Sequence, residues 1–202
     1  RAVGLLLLFH FTPAAFAGNP TLTIPPDVIH STPTDTWNFK IVYSTETNYA
    51  SAATIAELGR YLEEAWSKLS AIYKHPTPPI TVYIYSLANQ NALAAVDFDG
   101  TIHIDTPIIS SDLLRATVYH EMFHRMQYEY LEEDFPGGTR WFDEASATAM
   151  EVIESDYPDD VAILIQRDFR KHINDELPID SRDNDNGYSR VGLVLGIYED
   201  GG

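Results

Sequence analysis

The sequence predicts an α+β fold in which a small, mainly antiparallel sheet packs against a helical half. The order of elements indicates this, because a strand, a long helix and two more strands precede an all-helical stretch. Segments that alternate with a period of two predict the strands, and apolar residues three or four apart predict the helices. The chain has 202 residues and no visible internal repeat, which is the length of one domain with its own core.

The first 17 residues have the pattern of a secretory signal peptide. Arg1 precedes an apolar run that ends at Phe11, and residues 15–17 have the A-x-A form that signal peptidase cleaves. A short buried first helix is the alternative interpretation. Because the chain begins with Arg rather than Met, we expect the signal to be incomplete at its N-terminus.

The folded domain is expected to span residues 37–202. Residues 18–36 are rich in Pro, Thr and Asp, a composition that predicts an extended linker. The chain stops after a last apolar helix over residues 188–198 without a closing element, so we expect the domain to lack its C-terminal part.

Composition restricts the environment and the partners. The net charge of −17 repels phosphate backbones, so we expect no nucleic-acid partner. No apolar run is long enough to cross a bilayer, so no stable membrane insertion is expected once the signal is removed. A signal peptide without any cysteine is typical of bacterial exported proteins, which predicts a secreted, cell-envelope or periplasmic location.

The first predicted unit is strand, helix, strand. Residues 37–43 alternate between aromatic or apolar and polar side chains, and residues 80–85 are rich in β-branched and aromatic types. Between them, residues 49–73 carry an apolar stripe with steps of three and four that predicts a helix. This stripe consists of Ile55, Leu58, Leu62, Trp66, Leu69 and Tyr73.

The second half is predicted to be helical after one more strand. Residues 101–105 form a short strand at the edge of the sheet, and Asp112 is the predicted N-cap of a helix over residues 113–131. Further helices are predicted over residues 142–153 and 158–173.

Residues 120–124 have the sequence His-Glu-Met-Phe-His, which is the H-E-x-x-H pattern of zinc hydrolases. Two histidines four apart lie one above the other on a helix, so both imidazoles reach one metal ion. Glu121 points to the neighbouring sector, where a general base can act on water at that ion. The apolar flanks predict a buried helix, which argues against a chance match.

A third ligand is needed, because catalytic zinc takes three protein ligands and one open position. Glu144 is the best candidate, since a turn at residues 136–138 and a second helix bring it back towards the motif. Glu151 is a rival, two turns further along the same face. Asp143 is expected either to orient a ligand histidine or to act only as a charge at the helix N-terminus.

The two motifs, H-E-x-x-H and Trp141-Phe142-Asp143-Glu144-Ala145, resemble the gluzincin group of zinc metallopeptidases, including secreted bacterial metallopeptidases. The resemblance spans residues 37–198 in layout, and it implies a zincin-like domain with one Zn²⁺ held by His120, His124 and Glu144. It also implies that Glu121 activates a zinc-bound water. Two positions depart from the group: Arg125 stands where an uncharged residue is usual, and Ala145 where glycine is.

The same resemblance suggests further site residues. Tyr188 is the candidate that stabilises the oxyanion, although an ordinary packing role is the alternative. The strand over residues 101–105 would bind substrate, with His103 as a candidate contact or simply one polar position of an alternating strand. Arg125 could pair with Glu121, but Glu129 is the favoured partner because that pair is further from the metal.

The predicted function is that of a secreted zinc-dependent metallopeptidase that hydrolyses peptide bonds in a peptide or protein substrate. The alternative is a catalytically inactive binding or surface module in which zinc only joins two helices. An aminopeptidase is less favoured, since no G-x-M-E-N-type motif is present. A Ca²⁺ site at residues 183–187 is also less favoured, because the EF-hand template would place Arg182 first and Leu193 last.

Overall fold

The computed structural model describes six stretches of the chain, namely residues 22–29, 34–44, 50–88, 92–97, 99–130 and 140–154. The predicted signal peptide, the helices after residue 154, the loop at residues 183–187 and Tyr188 lie outside these stretches. The predicted turn at residues 136–138 does so as well.

The described strands form one mixed sheet with the order β1-β2-β3-β5-β4. The strands are β1 (Thr34–Asp35), β2 (Phe39–Tyr43), β3 (Ile80–Tyr85), β4 (Ala94–Val96) and β5 (Ile102–Asp105). The two central pairs, β2 with β3 and β3 with β5, are parallel, whereas the two outer pairs are antiparallel. The α+β prediction holds, but the sheet is not mainly antiparallel. A helix between β2 and β3 returns the chain to the same end of the sheet, which makes the parallel pairing possible.

The edge strand differs from the prediction. Residues 101–105 were expected at the edge, but β5 lies between β3 and β4, and β4 forms the edge instead. A tight turn joins the two strands: the Gly100 amide donates to the Asp97 carbonyl at 2.8 Å, and the Asp97 amide donates to the Thr101 carbonyl at 2.9 Å. Gly100 has a φ of +83°, a conformation that glycine adopts without a steric cost.

The first long helix, α2 (Ala52–Leu69), buries the predicted apolar stripe against the sheet. The Ser51 side chain accepts a hydrogen bond from the Thr54 amide at 3.1 Å, and this N-cap explains why the helix begins later than predicted. Leu58 and Leu62 are fully buried. Each such side chain contributes about 1.5–3 kcal/mol of hydrophobic stabilisation.

Part of the predicted linker packs on the sheet. The short helix α1 (Pro26–Ile29) and strand β1 both lie within residues 18–36. Val28 is fully buried in a small cluster with Val42, Tyr85 and Leu87. This cluster covers the face of the sheet opposite α2, so the folded unit includes residues before 37.

The helices α3 (Leu114–Gln127) and α4 (Arg140–Glu154) form the second layer, with short 3-10 helices at Ile108–Ser110 and Tyr128–Tyr130. Asp112 is not the N-cap of α3. That position is Leu113, whose amide donates to the Ser111 hydroxyl at 3.2 Å, so the chain is already turning before Asp112 could cap it.

The helices α3 and α4 are in close contact. Ala145, Ala147 and Ala149 on α4 are fully buried. This close approach brings the acidic residues of α4 to the H-E-x-x-H face of α3. Within the described stretches, no helix has both the length and the hydrophobicity needed to cross a bilayer.

Candidate metal centre

Three side chains from the two helices converge on one point. The Nε2 atoms of His120 and His124 lie 3.0 Å apart, and Oε2 of Glu144 lies 3.4 Å from the first and 3.5 Å from the second. All three residues are buried, with exposed fractions of 8%, 8% and 5%. A buried group of two imidazoles and one carboxylate at these distances could bind a metal ion.

The distances between the three ligand atoms fit a metal ion with tetrahedral coordination. Zinc–nitrogen and zinc–oxygen distances of about 2.0–2.1 Å, taken at the tetrahedral angle, place neighbouring ligand atoms about 3.3 Å apart. The measured 3.0, 3.4 and 3.5 Å bracket that value. Glu144 thus lies at the position where the sequence predicts a third ligand.

The outer nitrogen of His124 faces two acceptors. Its Nδ1 lies 3.1 Å from Asp143 Oδ1 and 2.9 Å from Gln127 Oε1. The Gln127 amide in turn donates to the Ser146 hydroxyl at 2.9 Å, which donates to the Phe142 carbonyl at 2.7 Å. With Nδ1 acting as a donor, Nε2 carries the lone pair that a metal requires.

The outer nitrogen of His120 contacts the Glu151 carboxylate. Glu151, the rival ligand, therefore lies on the far side of the imidazole from Glu144 and acts on the ring orientation. Each histidine thus has its own carboxylate, Asp143 for His124 and Glu151 for His120. Sequence reasoning missed Gln127 and Ser146, although their spacing to His124 and Phe142 on the helices is a signal that could have identified them.

Electrostatic interactions in this group favour protonated histidines and an ionised Glu144. Burial disfavours the charged form of His120, but the carboxylates of Glu151 and Glu144 outweigh it and raise the pKa to about 10. The pKa of His124 is also raised, since Asp143 and Glu144 overcome the effect of burial. For Glu144, burial opposes ionisation while His124 and His120 lower its pKa. A cation placed among these ligands would replace the imidazole protons.

Glu121 is a buried carboxyl directly beside the ligands, with an exposed fraction of 6%. Burial raises its pKa to about 7, against the opposing effect of His120 and His124. A carboxyl with a pKa near neutrality can accept and return a proton at physiological pH.

His103 does not contact the exterior. It is fully buried, its Nδ1 lies 3.0 Å from the Tyr85 hydroxyl, and its Nε2 lies 3.0 Å from Asp97 Oδ2. Burial lowers its pKa despite Asp97. A neutral ring that accepts from Tyr85 and donates to Asp97 satisfies all of these groups. The candidate substrate contact is therefore a link that holds the end of β4 to the interior of the sheet.

Two further residues, Arg125 on α3 and Tyr128 directly after it, face β4 and the turn that follows it. The Arg125 guanidinium donates to Glu129 at 2.8 Å, which confirms the favoured pairing, and it also packs on Gly100 in the β4–β5 turn. The Tyr128 hydroxyl donates to the Val96 carbonyl at 3.3 Å. Burial, with Asp143 and Glu121 nearby, raises the pKa of Tyr128, so the phenol stays protonated.

The described site is formed by residues of α3 and α4, and Tyr188 lies outside the described residues. A scan against protein-family models finds no match for this chain, and a search of curated proteins finds none either.

Proposed function

We propose that the chain is a secreted zinc-dependent metallopeptidase. The observation that carries the proposal is the convergence of His120, His124 and Glu144 beside the buried carboxyl of Glu121. The first three provide ligands, and the fourth provides a group that can transfer protons.

Zinc is the metal that this set of ligands favours. Two imidazole nitrogens and one carboxylate oxygen suit a borderline-soft ion, whereas Ca²⁺ and Mg²⁺ prefer oxygen ligands throughout. Three protein ligands also match catalytic zinc, whose fourth position is open. Bound there, zinc would polarise a substrate carbonyl and increase the acidity of water.

Glu121 is the proposed general base and acid. It follows His120 directly, so its carboxyl lies at the side of the ligand group rather than within it. Its role is to take a proton from the attacking water and to pass it to the departing amine. Tyr188 remains the proposed donor to the developing oxyanion.

A peptide substrate is supported by the sheet edge beside the metal helix. β4 is paired on one side by β5, and α3 packs close to it. An extended peptide can add to such an edge through backbone hydrogen bonds. The proposed peptide position is therefore along β4, beside α3, rather than on the strand predicted to bind substrate.

The test is zinc content and peptide hydrolysis on purified protein from residue 18 onward. Wild type should hold one zinc per chain and cleave members of a random peptide library. Glu144→Ala should lose zinc and activity together, while Glu154→Ala, a matched change on the same helix, should keep both. A wild-type protein without zinc would overturn the proposal.

The alternative is a module in which zinc only joins α3 and α4, and the low exposure of the ligands favours it. Glu121→Gln separates the two functions. In an enzyme this variant keeps its zinc and loses hydrolysis by about a thousandfold or more. Zinc binding with no hydrolysis even by the wild type would support the module.

A further inference from the structure

The backbone of β4 presents its polar groups in a defined pattern. Its register with β5 pairs Ala94 with Ile104 and Val96 with Ile102. The Asp105 amide donates to the Leu93 carbonyl, and the Asp97 amide donates to the Thr101 carbonyl. In an antiparallel ladder these bonds occur at alternate residues, so the N–H and C=O groups of Ala94 and Val96 point away from β5.

The Val96 carbonyl on that outer side is engaged by Tyr128. Its hydroxyl donates to this oxygen at 3.3 Å. The Tyr128 amide donates to the His124 carbonyl, so helical geometry continues through this residue. Glu121, Arg125 and Tyr128 are then four and three residues apart and lie on one face of α3 and of the helical turn that continues it.

The same face of α3 is attached to β4 at a second point. The Arg125 guanidinium lies where a Cβ atom on Gly100 would have to be, so the helix and the β4–β5 turn are in direct contact. Arg125 thereby fixes the turn, while Tyr128 contacts the outer edge of the strand that precedes it.

We infer that Tyr128 is a positioning residue for substrate: its hydroxyl takes an acceptor position on the outer side of the Val96 carbonyl and competes there with a peptide N–H, so a bound peptide pairs with β4 mainly through Ala94 and the Val96 amide. This inference rests on the proposed peptidase function. Backbone pairing with the peptide is therefore weakened at Val96, because the peptide N–H that faces the Val96 carbonyl competes with the Tyr128 hydroxyl. Tyr128 in this way limits how far the substrate register extends along the edge.

The test is an N-methyl scan of one blocked peptide selected from a random library by wild-type cleavage. Each analogue has one backbone N–H replaced by N–CH₃, and kcat/KM is measured with zinc-loaded wild type, Tyr128→Phe and Tyr130→Phe. Tyr130 is the matched control, because its hydroxyl accepts from the Lys74 amide rather than contacting β4.

Tyr128→Phe should gain one new sensitive position, two residues from the position that pairs with Ala94. There, N-methylation should lower kcat/KM about three- to tenfold in Tyr128→Phe, the effect of one backbone hydrogen bond, and less than about twofold in the two other proteins. A purely structural role would lower kcat/KM for all analogues alike.

Identical N-methyl scans for wild type and Tyr128→Phe would overturn the inference but not the proposed peptidase function. An equal loss of kcat/KM for all analogues in Tyr128→Phe would have the same meaning. If the wild type cleaves no library peptide, the proposed function fails and the inference fails with it. Thermal unfolding of the three proteins, expected to agree within a few degrees, shows that all are folded.

Discussion

At the residue scale, each candidate ligand histidine has a different partner for each ring nitrogen. Nε2 of both rings faces Glu144, while Nδ1 faces Asp143 in one case and Glu151 in the other. The outer carboxylates determine the tautomer and the ring orientation, and they increase the basicity of the ligand nitrogen.

Asp143→Asn and Glu151→Gln should each weaken zinc binding about 10- to 100-fold, because the amide is a poorer acceptor for the imidazole N–H. Competition with a chromophoric chelator measures this. Glu154→Gln is the control, since that carboxylate pairs with Lys68 at 3.3 Å near the end of the same helix. Equal affinity in all three variants would contradict the assigned roles.

Zinc binding at pH 7 should release at least one proton per ion, because the carboxylates raise the pKa of both imidazoles in the metal-free protein, while the 3.0 Å contact between the two Nε2 atoms needs one of them as an acceptor. Titration calorimetry in buffers of different ionisation enthalpy counts these protons. The number should fall as the pH approaches 10. Glu121→Gln, measured alongside, removes any contribution from that carboxyl, and release of no protons at pH 7 would refute the charge assignment.

The same shifts determine the stability of the metal-free protein. The pKa of His120 rises from 6.5 in the unfolded chain to about 10, so its contribution is complete below pH 6.5 and disappears as the pH rises through 10. The pKa of Glu144 is lowered from 4.5, so its contribution is present above pH 4.5 and is lost at lower pH.

At the element scale, the β4–β5 turn is in direct contact with α3, through Gly100 and Arg125. Gly100 combines a positive φ with direct contact to Arg125. Gly100→Ala should therefore reduce the free energy of unfolding by about 1–3 kcal/mol, as measured by denaturant titration. In an Arg125→Ala background the cost should fall to the backbone part alone, about 1 kcal/mol. An equal cost in both backgrounds would show that the contact is unimportant.

The elements differ in how well their sequences predicted them. β3 matches its prediction in full, because six β-forming residues stand between two proline-rich or polar breaks. β4 was missed because three residues, Ala94-Ala95-Val96, are too few and too weakly β-forming to stand out. Because β4 was not predicted, residues 101–105 were expected to form the edge of the sheet. The burial of His103 could not be predicted for a related reason, since alternation does not show that both faces of a strand are covered.

At the scale of the whole molecule, a metal at the candidate site would join α3 to α4 through coordinate bonds. The sequence contains no cysteine, so no disulfide joins its elements. Without a metal, α3 and α4 are joined by side-chain packing and by hydrogen bonds such as that from Gln127 to Ser146.

Removal of the metal should therefore lower the midpoint of thermal unfolding by roughly 10 °C or more. Zinc at 1,000 times its Kd stabilises the folded state by about 4 kcal/mol, and for a domain of this size about 1 kcal/mol corresponds to 2–4 °C. Calorimetry with and without chelator measures the shift, and Glu144→Ala should show none. An unchanged wild-type midpoint would argue against a bound structural or catalytic ion.

The candidate ligands were predictable from sequence, since helical spacing places His120 above His124 and a second helix was expected to bring Glu144 to them. The parallel pairing at the centre of the sheet could not be predicted. It depends on which strands share hydrogen bonds, and neither periodicity nor composition indicates the strand order.

The ligands and their supporting carboxylates all lie between Leu114 and Glu154, on a single pair of helices. β4, which the proposed enzyme uses to grip its substrate, is a separate stretch encoded earlier in the chain. In the proposed enzyme, the residues for the reaction and the strand that binds the substrate therefore lie in different segments of the sequence. Changes in the edge strand could therefore alter which substrates bind while the metal ligands stay the same. The pair of helices is also a compact unit for transfer into a designed protein.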